Sequence, residues 1–237
     1  MLNLIANETR KTLWNRSFWA VLVGGTLVAG LVLAMGYGRL ADGHPFPVLE
    51  AVLGLSKLAG FVFVVLIGSW TAQEYNWRTL PLLLSRGVRR VPWLLSRFAA
   101  ALGPLLLAMA IPFGLAGLAE LLYSPEVPEL MRRAGAELPR LFGGLVLGVL
   151  PYLALSVLMG VFTRSVALAV GVPLFSGLVV ESILNAFWPQ VGRYFPTPLG
   201  DGLLQTGDPL YAAGLAGYTM LFVLLASLGL RRQDLGG

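Results

Sequence analysis

The chain has 237 residues, of which 57% are hydrophobic and 12% charged, with a mean hydropathy of +0.76 and a formal net charge of +5. A soluble domain averages about 25% charged residues, so there is too little polar side chain here to cover a globule in water, and a soluble enzyme is excluded. The absence of cysteine also removes disulfides, thiol nucleophiles and Cys-based metal sites.

Before the first apolar run, Leu2, Ile5, Thr9 and Leu13 recur at helical spacing among Glu8, Arg10, Lys11 and Arg16, which predicts an amphipathic interfacial helix over 1–16. Trp14, Phe18 and Trp19 stand where an aromatic belt belongs. Residues 17–38, between Arg16 and Arg39, carry no charge and exceed the roughly 20 residues of helix that cross a bilayer. The run is too long for the apolar part of a signal peptide and no A-x-A site follows it, so it is expected to stay in the mature protein. The second span, 53–73, requires Lys57 to snorkel towards one end.

The third span, 98–119, lies between Arg97 and Glu120. After it, Pro125, Pro128 and Pro139 with mixed charge predict a short surface helix or a loose connection over 120–140. The fourth span, 141–163, carries Gly144 and Gly148, a spacing that lets another helix approach closely. The fifth, 165–188, has to continue past Glu181. Residues 189–208, rich in proline and glycine, are expected to fold back on the outer surface, and 209–230 is the sixth span. Pro104, Pro112, Pro151 and Pro173 interrupt the hydrogen-bond ladders of spans three, four and five and can kink them. The expected fold is an all-α integral membrane protein, a single domain over 1–237 with six transmembrane helices.

An even number of spans puts both termini on one side, and Lys/Arg decides which. The termini, the 74–97 loop and the Arg164 turn hold 11 basic residues and the opposite side 6, while the acids divide 3 against 9. Both termini are expected in the cytoplasm.

Residues 74–97, EYNWRTLPLLLSRGVRRVPWLLSR, connect spans two and three. A connection between helices needs only about two to eight residues, whereas this one is long, basic and apolar at once. Thr79 can cap a short helix with Pro81 in its first turn, leaving Leu80, Leu82, Leu83 and Leu84 exposed before Ser85, Arg86 and Gly87. Exposed leucines at that level need a partner, lipid or protein.

Glu74-Tyr75, Thr79-Leu80, Leu83-Leu84-Ser85-Arg86-Gly87-Val88, Arg90 and Arg97 together resemble the permease subunits of ATP-binding cassette transporters of the ABC-2 exporter type. The resemblance extends to the amphipathic N-terminal helix, the six spans and the end Leu230-Arg231-Arg232-Gln233-Asp234-Leu235. Arg78 stands where the family pattern usually has Gly, and Pro81 where it commonly has a basic residue.

The resemblance implies that 74–97 holds a coupling helix that docks on a separate ATPase subunit. Glu74, Thr79, Leu80, Leu83, Leu84, Ser85, Arg86, Gly87 and Arg90 would belong to that contact. Arg86 and Arg90 would match the partner's charge, and Glu74 would hold the loop or bond to the N-terminal helix. It further implies two ATPase copies carrying ATP and Mg, a second permease chain, identical or related, and a bacterial or archaeal cytoplasmic membrane. No cofactor is expected in this chain and no nucleic acid among its partners. The sequence has no G-x-x-x-x-G-K-[ST], and neither Lys11 nor Lys57 follows a glycine, so the motor would be another polypeptide.

Glu50, Lys57 and Glu181 are charges near the outer ends of spans, where intramembrane charge points to function. Lys57 and Glu181 are candidates for an outer gate; the plain alternative is snorkelling to headgroups. An intramembrane enzyme is disfavoured: His44, the single histidine, sits in an outer loop, and no HExxH or paired intramembrane carboxylates occur. The expected function is export of a hydrophobic or amphipathic substrate, whether lipid, peptide or drug. A non-transporting scaffold or assembly factor is the alternative.

Overall fold

The computed structural model describes residues 2–16, 18–20, 22–24, 26–27, 31, 47–77, 79–80, 87–123 and 127–232, and their side chains except at 2–4, 47–56, 58–59, 112–113 and 116–139. Among the described residues there are helices and no strands. In chain order they are α1 (Leu2–Trp14), α2 (Pro47–Asn76), α3 (Arg90–Tyr123), α4 (Val127–Thr163), α5 (Val166–Phe175), a π-helical turn (Ser176–Val180), α6 (Glu181–Phe187), α7 (Pro189–Gly192), α8 (Pro196–Thr206) and α9 (Pro209–Arg232).

Among the described residues four stretches are long and apolar enough to cross a membrane: Arg90–Ile111, Arg140–Thr163, Val166–Phe187 and Pro209–Arg232. The chain is therefore an α-helical membrane protein. Described residues between 18 and 31 are helical, and the rest of the run expected to span at 17–38 lies outside the described residues.

The expected 120–140 connection is a correction. Helix α3 runs on to Tyr123 and α4 begins at Val127, so their 34 and 37 residues are continuous helix well past the apolar runs. At 1.5 Å per residue the two helices are about 50 and 55 Å long, against roughly 30 Å of hydrocarbon. Charged residues mark where a helix leaves lipid, but they do not end it; Pro128, in the first turn of α4, is where proline is tolerated.

Helix α4 is the centre of the bundle, with 61% of its apolar stretch buried against 22% for each of the last two stretches. It packs on α2, α3, α5, α8 and α9. Phe63, Val64 and Ile67 of α2, Leu94, Leu105 and Met109 of α3, and Leu145, Leu153, Val157 and Val161 of α4 form the core. Phe18 is fully buried with its ring edge-on to Phe63, centroids 5.7 Å apart.

Proline shapes α5. Pro173 has no N–H to give the Ala169 carbonyl one turn earlier. Ser156 of α4 donates its hydroxyl to that oxygen at 2.7 Å. The backbone then widens into the π-helical turn, in which Gly177 leaves space for the rings of Tyr152 and Phe61; a Cβ there would sit 2.9 Å and 3.0 Å from their atoms.

Candidate functional site

Two polar clusters stand out, about 25 Å apart along α2 by helical rise. The first joins α1, α2 and α3. Arg97 donates from Nη1 to Glu8 Oε2 at 2.5 Å and to Glu74 Oε1 at 2.6 Å, and Lys11 Nζ donates to Glu8 Oε1 at 2.7 Å. The Arg97, Glu8 and Glu74 side chains are each only about a tenth exposed. Buried charge of this kind persists only when paired and hydrogen-bonded. One guanidinium thus fastens the amphipathic helix and the end of α2 to the start of α3.

The pairing of Glu74 is incomplete. Its Oε2 is buried without a hydrogen-bond partner among the described residues. Burial pushes its carboxyl above the ordinary 4.5, outweighing the opposing pull of Arg97. Next to it, Tyr75 is buried under the Arg164 guanidinium, 5.6 Å from its ring, and burial raises its phenol as well. Arg164 itself turns the chain from α4 into α5 with φ of 53°, a conformation rare for a side chain larger than asparagine.

The expected coupling residues separate here. Thr79 donates its hydroxyl back to the Glu74 carbonyl at 3.1 Å and closes the end of α2, and the residues it is expected to cap, 81–86, lie outside the described residues. Leu80 corrects the expectation of an exposed apolar face: it is fully buried and joins the main core. Leu83, Leu84, Ser85 and Arg86 lie outside the described residues. Gly87 is exposed with φ of 86°, a left-handed turn suited to glycine. Arg90 donates to the Leu230 and Arg231 carbonyls at 3.1 Å and 3.2 Å. It therefore covers the negative end of α9.

The second cluster surrounds Lys57 and Glu181. The two gate candidates each bond to a partner other than the other. Lys57 pairs with Asp201 of α8. Glu181 accepts a hydrogen bond from the Tyr152 hydroxyl at 2.6 Å and another from the Thr197 backbone N–H at 2.8 Å. Tyr152 and Thr197 also share a hydrogen bond between their hydroxyls at 2.6 Å. The physical reason is α8, which lies between the two residues and offers each a nearer partner.

Thr197 is the second residue of α8, where amides have no helical acceptor, and Phe195 before it provides no side-chain cap. The Glu181 carboxyl, 2% exposed, caps this helix from α6. A cleft runs beneath α8, lined by Lys57 and Phe61 of α2, Gly144, Gly148 and Tyr152 of α4, and Thr197, Asp201 and Leu204 of α8.

The sequence reading did not single out Glu8, Tyr152, Thr197 or Asp201 as site residues, and it used Arg97 only as part of a pattern. A signal existed for Glu8 and Arg97, opposite charges at the same level beside two spans. For Thr197 and Asp201 the signal was one turn of spacing in a segment that had been expected to fold back.

Among the described residues no group of three or more His, Cys, Asp or Glu is placed to hold a metal. No curated protein matches the chain. The sequence model of the family described as "Protein of unknown function (DUF2705)" matches residues 42–235, most of the chain including both clusters except Glu8 and Lys11. The chain belongs to the DUF2705 family.

Proposed function

We propose that this chain is the membrane-spanning permease subunit of an ATP-driven exporter of the ABC-2 type. It would cross the membrane six times, with α2 and the 17–38 run added to the four apolar stretches, and both termini in the cytoplasm of a bacterium or archaeon. Two permease chains, identical or related, would work with two separate ATPase subunits that bind ATP and Mg, moving a hydrophobic or amphipathic substrate. The chain itself would carry out no chemistry.

One observation carries this reading beyond the resemblance. The segment between α2 and α3 is tied on both sides to other helices: through Glu74, Arg97 and Glu8 to α1, and through Arg90 to the end of α9. A push on that segment would therefore be felt by α1, α2, α3 and α9 together. Such stiffness suits a part that receives force from a neighbouring motor, because rigidly packed elements move as units.

The test is purification of the native complex and an assay of ATP hydrolysis in what co-purifies. A Leu83→Asp, Arg86→Glu double variant should still insert, but lose the ATPase and ATP-dependent dye uptake into inverted vesicles. Normal co-purification and normal transport in that variant would remove the reading.

A further inference from the structure

The groove between α2 and α4 is filled by a piece of the chain that is held differently from everything around it. Most apolar contacts of α8 form a small cluster of their own, in which Leu199 and Leu203 bury against Leu215 of α9, while Leu204 alone reaches the edge of the main core. Where α8 crosses α4, glycine meets glycine: a Cβ on Gly148 would lie 3.8 Å from the Gly200 Cα. At that crossing the two backbones can part and rejoin, and the one side chain that must withdraw is Leu204, which fills the space left by Gly144 of α4.

The polar fastenings have the same character. Lys57 and Asp201 keep 38% and 42% of their side chains exposed, so water can replace each as the other's partner. Glu181 holds the other end of α8 through the Thr197 N–H and the Tyr152 hydroxyl. Sharp turns bound the helix on both sides. Gly207 follows it with φ of 70°, and before it the chain changes direction between Trp188 and Phe195.

We propose that α8 is a detachable cover on the groove between α2 and α4, latched by the Lys57–Asp201 pair and by Glu181 at its N-terminus. Its release withdraws Leu204 from the edge of the main core and turns Lys57, Phe61 and Tyr152 towards whatever enters the groove. The charges that looked from sequence like a gate pair are the two catches of one door. This goes beyond the transport reading and does not depend on it.

The absence of cysteine makes a direct test available. A Gly148→Cys, Gly200→Cys pair reports closure of the cover, and a Thr71→Cys, Gly160→Cys pair, where a Gly160 Cβ would lie 3.4 Å from the Thr71 Cβ, reports the α2–α4 packing beneath it. Asp201→Asn should slow disulfide formation in the first pair about fivefold, the scale of losing one exposed ion pair, and leave the second unchanged. Lys57→Asp combined with Asp201→Lys should restore the first. Equal rates in every background, a parallel fall in both pairs, or no recovery on charge exchange would each overturn the proposal.

Discussion

Ser156 of α4 gives its hydroxyl hydrogen to the carbonyl of Ala169 in α5, the oxygen that Pro173 leaves without its helical donor. A helix defect on one element is thereby repaired by a side chain on another, and the two positions are energetically one. Ser156→Ala should cost about 1 kcal/mol. The cost should shrink when Pro173→Ala supplies the missing N–H. Thermal unfolding of the four proteins of this double-mutant cycle in detergent measures the coupling, and strict additivity would show that the hydroxyl does not serve the proline.

The same spot sets a steric prediction. A Cβ on Gly68 would fall 1.8 Å from Ser156 Oγ and 2.9 Å from the Ala169 carbonyl oxygen, so α2, α4 and α5 can meet only if residue 68 is glycine. Gly68→Ala should destabilise the fold by about 1–3 kcal/mol, the usual cost of overpacking. Gly103→Ala, with open space at its Cβ in the interior of α3, is the internal control and should unfold at or above the wild-type temperature.

At the α1 junction, removing Arg97 leaves Glu8 and Glu74 buried together without a shared counter-charge. Arg97→Met should cost about 3–5 kcal/mol and release α1, which limited proteolysis would detect as new cleavage between residues 1 and 16. A variant as stable and as protected as the wild type would mean that the helix is held by its apolar face alone.

Glu74 adds a pH dependence. Its folded-state carboxyl titrates above 4.5, because burial outweighs Arg97, so the folded protein binds this proton more readily than the unfolded chain does. The contribution to stability is full below pH 4.5 and is lost as pH rises through the folded-state value. Glu74→Gln cannot lose it. The unfolding temperature of Glu74→Gln minus that of the wild type should therefore grow from acid to neutral pH. A flat or declining difference would contradict the assignment.

Arg90 covers the last carbonyls of α9. Arg90→Gln should cost about 0.3–1 kcal/mol and speed amide hydrogen exchange in the last turn of that helix, with the middle of α4 unaffected. Uniform acceleration across both would point to global loosening.

What was legible in the sequence follows the range of the forces involved. Hydrophobic runs are local, so the apolar parts of α3, α4, α5–α6 and α9 could be placed from composition alone. Their ends could not: Arg97 and Glu120 bound an apolar run, but helix α3 passes through both, because a charge at the edge of lipid is no obstacle to backbone hydrogen bonding. Leu80 failed for a related reason. Its neighbours read as a surface strip, and only tertiary packing reveals that it belongs to the core. The partners of Lys57 and Glu181 were out of reach as well, since Asp201 lies 144 residues beyond Lys57. The glycine pair in α4 was the exception, since close approach is the main thing that spacing offers, and α8 is what approaches.

The Arg97 bridge also imposes an order on how the protein is made. Glu8 leaves the ribosome 89 residues before the guanidinium that neutralises it, a delay of roughly 5–20 s at ordinary rates of synthesis. During that interval Lys11, within the same helix, is the counter-charge that pairs with Glu8 among the described residues. The first helix to be synthesised thus cannot take its final seat until α3 arrives.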